Sequence, residues 1–309
     1  MKRKVIQIAE STILVSIPAK WAKKYGLKKG DTVDVEDEHN QIIIKTERAK
    51  IPKKATIDAR ELEGRIFGWI TSAYHRAGYD ELEIIYKDKK TVKHVEELVK
   101  NLLLGFVIVS QEHNKIVLKP MAVDVETGFD QALRRAFLVT ISLGDSLLTN
   151  LQEGKNEDLI SLEHTNNQLT NFCQRILNHG IYDYPKTTFL FVICWNLEKI
   201  ADEYKYILEM GKIKTNEEIL KLFGEVNKLL REYYTAFYEF DLKKFNKLYK
   251  DAKNLEAQLS KAPGDFALKY HLLTITGKLL DFSSVFIGLR KVEEGRTFYN
   301  KNPPSNNQL

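Results

Sequence analysis

The chain has 309 residues, 43% of them apolar and 29% charged, a balance that suits a folded globular protein and excludes a disordered or collagen-like one. Its net charge of +5 is unevenly placed: residues 1–54 hold thirteen Lys and Arg against seven Asp and Glu, a net +6, and the remainder nets −1. That asymmetry is expected when one module meets a polyanion.

Sixteen glycines and seven prolines are few for this length and favour long helices over a many-turned β-sandwich. The longest apolar run, Phe189 to Trp195, falls well short of the roughly 18 residues of a membrane span, so no membrane insertion is expected. Gln7 and Glu10 break the apolar stretch after the basic start, which argues against an export signal and for a cytoplasmic protein. Cys173 and Cys194 sit among apolar residues and read as small core side chains. The phosphate-loop, GxGxxG, GxSxG and HExxH patterns are absent, so a binding function rather than catalysis is expected.

Residues 1–48 read as two short β-hairpins around one helix. Ile6 and Ile8, then Ile13, Val15 and Ile17, alternate with polar positions across a Glu10-Ser11 turn, the period of a half-buried strand. Pro18 opens a helix over Ala19 to Tyr25, closed by Gly26 with Leu27 as its apolar partner. Val33 and Val35, then Ile42 and Ile44, form the second hairpin across a turn at Asp37 to Asn40. A piece this small buries too little surface to stand alone and lacks a metal or disulfide staple, so a homodimer is inferred.

Residues 49–56 read as a linker. Residues 55–120 read as a small α/β module: a helix from Asp58 to Ala77, a strand from Leu82 to Tyr86, a helix from Val92 to Leu104, and strands at Phe106 to Val109 and Ile116 to Leu118. From 122 to 299 the pattern is helical throughout, with helices near 126–153, 156–179, 186–210, 215–240, 241–261 and 265–292 grouping as three plus three. Leu220, Phe223, Asn227, Leu230, Tyr234 and Phe237 trace one bundle seam. The polar end, 300–309, reads as a disordered tail. The fold class is thus α+β and mainly α.

Lys2, Arg3, Lys4, Lys20, Lys23, Lys24, Lys28 and Lys29 lie close in sequence, with Glu10 the only acid before Asp31. Lys20, Lys23 and Lys24 share a helix face, and this density of cations suits phosphate contacts, although on charge alone a solvated surface explains it as well. His164, His179 and His271 read as polar-face residues. The Phe189 to Trp195 stripe reads as bundle core, and Arg134-Arg135 as partners of bundle acids.

The segment Thr12 to Asp31, ThrIleLeuValSerIleProAlaLysTrpAlaLysLysTyrGlyLeuLysLysGlyAsp, resembles the SpoVT/AbrB swapped-hairpin domain, with Ser11-Thr12 where that family often has a glycine. The resemblance implies that two chains interleave their hairpins into one barrel and bind double-stranded DNA through Lys2, Arg3, Lys4, Lys20, Lys23 and Lys24. The segment Asn196 to Asp202, AsnLeuGluLysIleAlaAsp, is similar to a signature of PhoU-type phosphate-uptake regulators, whose tandem three-helix bundles match the three-plus-three layout.

That second resemblance implies a divalent or ferric metal ion at Glu198 and Asp202, which at i and i+4 share a helix face; Lys199 beside them could satisfy either acid instead. The second repeat has Gly277 where the glutamate would stand and keeps only Asp281. Together the two resemblances imply a dimeric DNA-binding regulator of phosphate uptake, with the bundle as sensor or partner-binding part. The alternative is an adaptor contacting a phosphate transporter or signalling partner, in which the N-terminal domain only dimerises. A metal-dependent phosphohydrolase is disfavoured because no positioned nucleophile or general base accompanies the acid pair.

Overall fold

The computed structural model describes residues 2–8, 12–38, 41–46, 52–121, 125–155 and 157–301, and divides into two compact units, 1–53 and 54–309. In the first unit β1 (Val5–Ile8) pairs antiparallel with β2 (Thr12–Val15), α1 (Ala19–Lys24) follows, and β3 (Asp34–Glu38) pairs antiparallel with β4 (Gln41–Lys45). The Glu10-Ser11 turn and part of the second turn lie outside the described residues.

The expected half-buried strands are not found within one chain. Val5, Ile6, Ile8, Ile13, Leu14, Val15, Val35, Ile42 and Ile44 are all exposed, and no described residue of this unit is buried. Alternation requires a second apolar layer, and two two-stranded ribbons with one short helix cannot supply it.

The second unit begins with an α/β layer. Its sheet has the order β5-β6-β8-β7, built from β5 (Lys54–Asp58), β6 (Glu81–Ile85), β7 (Phe106–Gln111) and β8 (Lys115–Pro120), with α2 (Gly64–Arg76) and α3 (Lys89–Asn101) as connections. The reading of 49–56 as a linker is corrected here, because Lys54 to Asp58 is an edge strand parallel to β6. Ile57 is buried and Ala55 half-buried between exposed Lys54, Thr56 and Asp58, a period of two that the lysines obscured. The helix expected from Asp58 consequently starts at Gly64. Ile57, Leu82, Ile84, Val95, Leu98, Ile116 and Leu118 form the core of this layer.

Six helices follow: α4 (Val125–Glu153), α5 (Ile160–Asn178), α6 (Tyr184–Glu209), α7 (Glu217–Tyr238), α8 (Leu242–Lys261) and α9 (Phe266–Lys301). The α4–α6 and α7–α9 sets each pack internally, and they meet through α4 on α7 and α6 on α9. Side chains of Asn216 and Asp241 cap α7 and α8 by accepting backbone N–H bonds from Ile219 and Lys243. By length and composition α9 resembles a membrane span, yet Leu268, Leu272, Ile275, Leu279, Phe282, Phe286 and Leu289 are buried along its bundle seam. At the centre α4 approaches closely at Gly144, where a Cβ would lie 2.7 Å from Tyr204 Cζ. There the Tyr204 hydroxyl donates to Asn227 Oδ1 at 2.7 Å, and Asn227 Nδ2 donates to Asp145 Oδ1 at 3.2 Å.

The α/β layer and the bundle are joined by side chains of α5. Arg175, with 7% of its side chain exposed, donates to the carbonyls of His75 and Tyr79 and to Asp80 Oδ1 at 3.1 Å, and its guanidinium stacks on Phe106. Asn178 donates to the Arg76 carbonyl, and Gln168 and Asn171 donate to the carbonyls of Lys100 and Leu102 at the end of α3. Removing a buried, multiply bonded charge strands its partners, so Arg175→Ala should lower stability by about 3 kcal/mol, read from the denaturation midpoint.

His75 lies inside this junction, its Nε2–H donating to the Leu104 carbonyl at 3.1 Å and its unprotonated Nδ1 without a donor. Burial first, and the neighbouring Arg175 charge second, hold its pKa down to about 3 from 6.5. Between those values the unfolded chain binds a proton that the folded chain refuses. Stability should therefore fall as the pH drops below about 6.5, by up to about 1.4 kcal/mol per pH unit, and His75→Gln should flatten the slope. Denaturation midpoints across this pH range test it.

Candidate nucleic-acid interface

Helix α1 is short and sharply bounded. Pro18 occupies its N-cap, and Gly26, at φ +64°, closes it: the Leu27 N–H bonds the Ala22 carbonyl at 2.9 Å and the Gly26 N–H bonds the Lys23 carbonyl at 3.2 Å. The closure turns Trp21, Ala22 and Tyr25 to the half-buried side, with the Trp21 and Tyr25 rings 5.1 Å apart. Lys20, Lys23 and Lys24 stand exposed, and Lys24 Nζ lies 5.4 Å from the Tyr25 ring centroid.

Lys2, Arg3 and Lys4 are exposed immediately before β1. Among the described residues, no ion pair is formed by any of these six cations. The acids of the unit gather on β3, at Asp34, Glu36, Asp37 and Glu38, where Glu36 pairs with Lys45 at 2.6 Å. Charge is thus segregated by element, with cations on the N-terminal arm and α1 and acids on β3. Uncompensated, solvated lysines can exchange their counterions for phosphates.

The other candidate site behaves differently. On α6 the Lys199 ammonium bridges Glu198 Oε1 at 3.1 Å and Asp202 Oδ2 at 2.9 Å, while Lys205 bridges Asp202 Oδ1 at 2.8 Å and Glu163 Oε1 of α5 at 2.7 Å. Burial acts to raise the Asp202 pKa, but the bonds from Lys205 and Lys199 outweigh it and leave the carboxyl below its usual range.

A metal ion at Glu198 and Asp202 would have to displace both ammonium groups, and among the described residues no three acids, histidines or cysteines converge to hold one. These residues do not fit the metal that the resemblance implied. Their negative charge already has partners: Lys199, anticipated beside them, and Lys205, which stands at the same three-residue spacing from Asp202. Glu163, from another helix, completes the alternating chain, and Asn167 also donates to it.

Two histidines lie beside acids, His271 Nδ1 at 2.7 Å from Glu203 Oε2 and His179 Nε2 at 3.9 Å from Asp80 Oδ1. In the Phe189 to Trp195 stripe, Leu190, Ile193 and Cys194 are core as expected, whereas Val192 and Trp195 face outward. Because Glu163 is 3% exposed at its side chain, Lys205→Met should strand a buried carboxylate and cost about 3 kcal/mol or more, measured by urea denaturation.

Residues 7–56 match the family model MazE_antitoxin, described as antidote-toxin recognition MazE, bacterial antitoxin. No curated protein and no solved structure matches the chain. The match covers most of the first unit, α1 included, but begins after Lys2, Arg3 and Lys4, and it extends only into the first residues of β5. The N-terminal unit is a MazE/AbrB-like domain, consistent with a DNA-binding or antitoxin-type regulator.

Proposed function

We propose that the chain is a dimeric DNA-binding transcriptional regulator whose N-terminal domain interleaves with a second copy, presenting two sets of Lys2, Arg3, Lys4, Lys20, Lys23 and Lys24 to the phosphate backbone. One observation carries this reading: nine large apolar side chains of the domain are exposed and no described residue in it is buried. Such a unit acquires a core only by covering those faces, and a second copy offers the same alternating strands in the same number. The family match over 7–56 and the segregation of cations from acids support DNA as the ligand.

The finer reading is a role in phosphate uptake, with the helical part as sensor or partner-binding unit. It draws support from the Asn196 to Asp202 signature on α6 and from the pairing of two three-helix sets. An adaptor role, with the N-terminal domain used only for dimerisation, leaves the unpaired cations without a task.

The full chain should sediment as a dimer. Its affinity for duplex DNA should fall with salt at a log–log slope of about −5 to −7 if six to eight phosphates are engaged. Replacing Lys20, Lys23 and Lys24 by alanine should flatten that slope. Unchanged affinity and slope in the triple variant would move the DNA face elsewhere, and a monomeric chain would overturn the reading at its base.

A further inference from the structure

Helix α2 is apolar on two faces. Its inner face, with Phe67, Gly68, Thr71, Ser72 and His75, is buried. Outward it presents Ile66 at 45% and Trp69 at 62% exposure, followed by exposed Ala73 and Ala77, at spacings of three and four that keep them in one stripe. Half-buried Leu62 and Ile70 border the stripe, and the helix carries fixed charge only near its ends, on Arg65 and Arg76. A helix that is apolar all round is ordinarily covered all round. Yet among the described residues the Trp69 indole stacks on no ring, meets no cation and makes no hydrogen bond. Tryptophan is the side chain most often found at the energetic centre of a protein interface.

The stripe is bulky in its first half and small in its second, which makes it complementary to itself. When α2 packs antiparallel on the α2 of a second copy, about a two-fold axis near residue 71, Trp69 of each faces Ala73 of the other and Ile66 faces Ala77. Both pairs lie at near-equal distances on either side of the axis, so each large side chain meets a small one and the same contacts form twice. A parallel pair would instead set tryptophan against tryptophan.

Charge at the ends is complementary in the same sense. Glu63 stands exposed immediately before α2 and Arg76 ends it, and neither forms an ion pair among the described residues. In the antiparallel arrangement Glu63 of one copy comes within about one turn of Arg76 of the other, and the two helix dipoles oppose. Parallel packing would bring like charges together. A surface that matches itself in both shape and charge is fitted to a second copy of this chain.

We propose that the outward face of α2 is a contact between two copies of the chain, the helices antiparallel and Trp69 of each seated on Ala73 of the other. The contact belongs to the second unit, so it is separate from the pairing proposed for the N-terminal unit and does not rest on it.

Cross-linking of the full chain with a short bis-maleimide tests the register. Both native cysteines are buried, so the parent protein serves as the blank. Ala73→Cys, close to the axis, should join two chains about fivefold or more better than Ala77→Cys, which lies about one turn farther out. Sedimentation tests the energetics. Trp69→Ala and Ala73→Trp should each raise the dissociation constant of the associated chain about tenfold or more, and the exchange variant Trp69→Ala/Ala73→Trp should recover most of that loss. A mere change in apolar surface predicts no recovery. Absence of an interchain cross-link at Ala73→Cys, equal yields at the two positions, Trp69→Ala associating like the parent, or no recovery in the exchange variant would each overturn the proposal. A chain that sediments as a dimer without the α2 cross-link loses this contact and keeps the N-terminal one. Should Ala73→Trp fail to fold, Trp69→Ala and the cross-linking pattern decide.

Discussion

The Arg175 guanidinium makes one body of the second unit. A sheet with two helices and a bundle of six could each have closed its own surface and been tethered by a linker. Instead α5 inserts one cation into the turn after α2, where it satisfies two backbone carbonyls and Asp80 at once. A charge taken out of water holds only where every neighbour is an acceptor, and the end of a helix, with its unpaired carbonyls, is such a place. His75 remains neutral for the same reason, since a second proton there would meet both burial and the arginine.

Charge elsewhere follows two regimes. On α5 and α6, acids and lysines are bonded to one another in a chain running from Glu198 through Lys199, Asp202 and Lys205 to Glu163. Acids consumed in this way are poor ligands, because a metal must first break pairs that are partly shielded from water. On the N-terminal arm and α1 the cations are exposed and, among the described residues, form no ion pair, so they are available to an external anion. The helical repeats also differ at the corresponding α9 position: Gly277 has open space around it, so packing does not impose the absence of an acid.

Much of the architecture was legible in the sequence because its signals are local. Six helices and their breaks follow from apolar spacing and from glycines at Gly154, Gly180, Gly211 and Gly264, all with positive φ in the structure. The closure of α1 at Gly26 is equally local. Strand β5 was hidden because its edge position surrounds Ile57 with lysines and a proline, the composition of a linker. The junction was invisible for a different reason. Arg175, Asn171 and Asn178 look like ordinary polar helix residues, and only the arrival of α2 and α3, from 69 to 102 residues earlier, makes them donors to carbonyls of another layer. Lys205 and Glu163 belong to the same class, paired between helices at no fixed spacing.

The bare apolar faces of the N-terminal unit have a consequence in mass action. Where folding requires a second chain, the folded fraction rises with protein concentration, and stability has no value independent of it. A regulator of the kind proposed would have a threshold: below a certain copy number its N-terminal head would not be folded, and above it folding and assembly would become one event. Dilution, or an inert partner that caps one set of strands, would silence it without touching a single lysine.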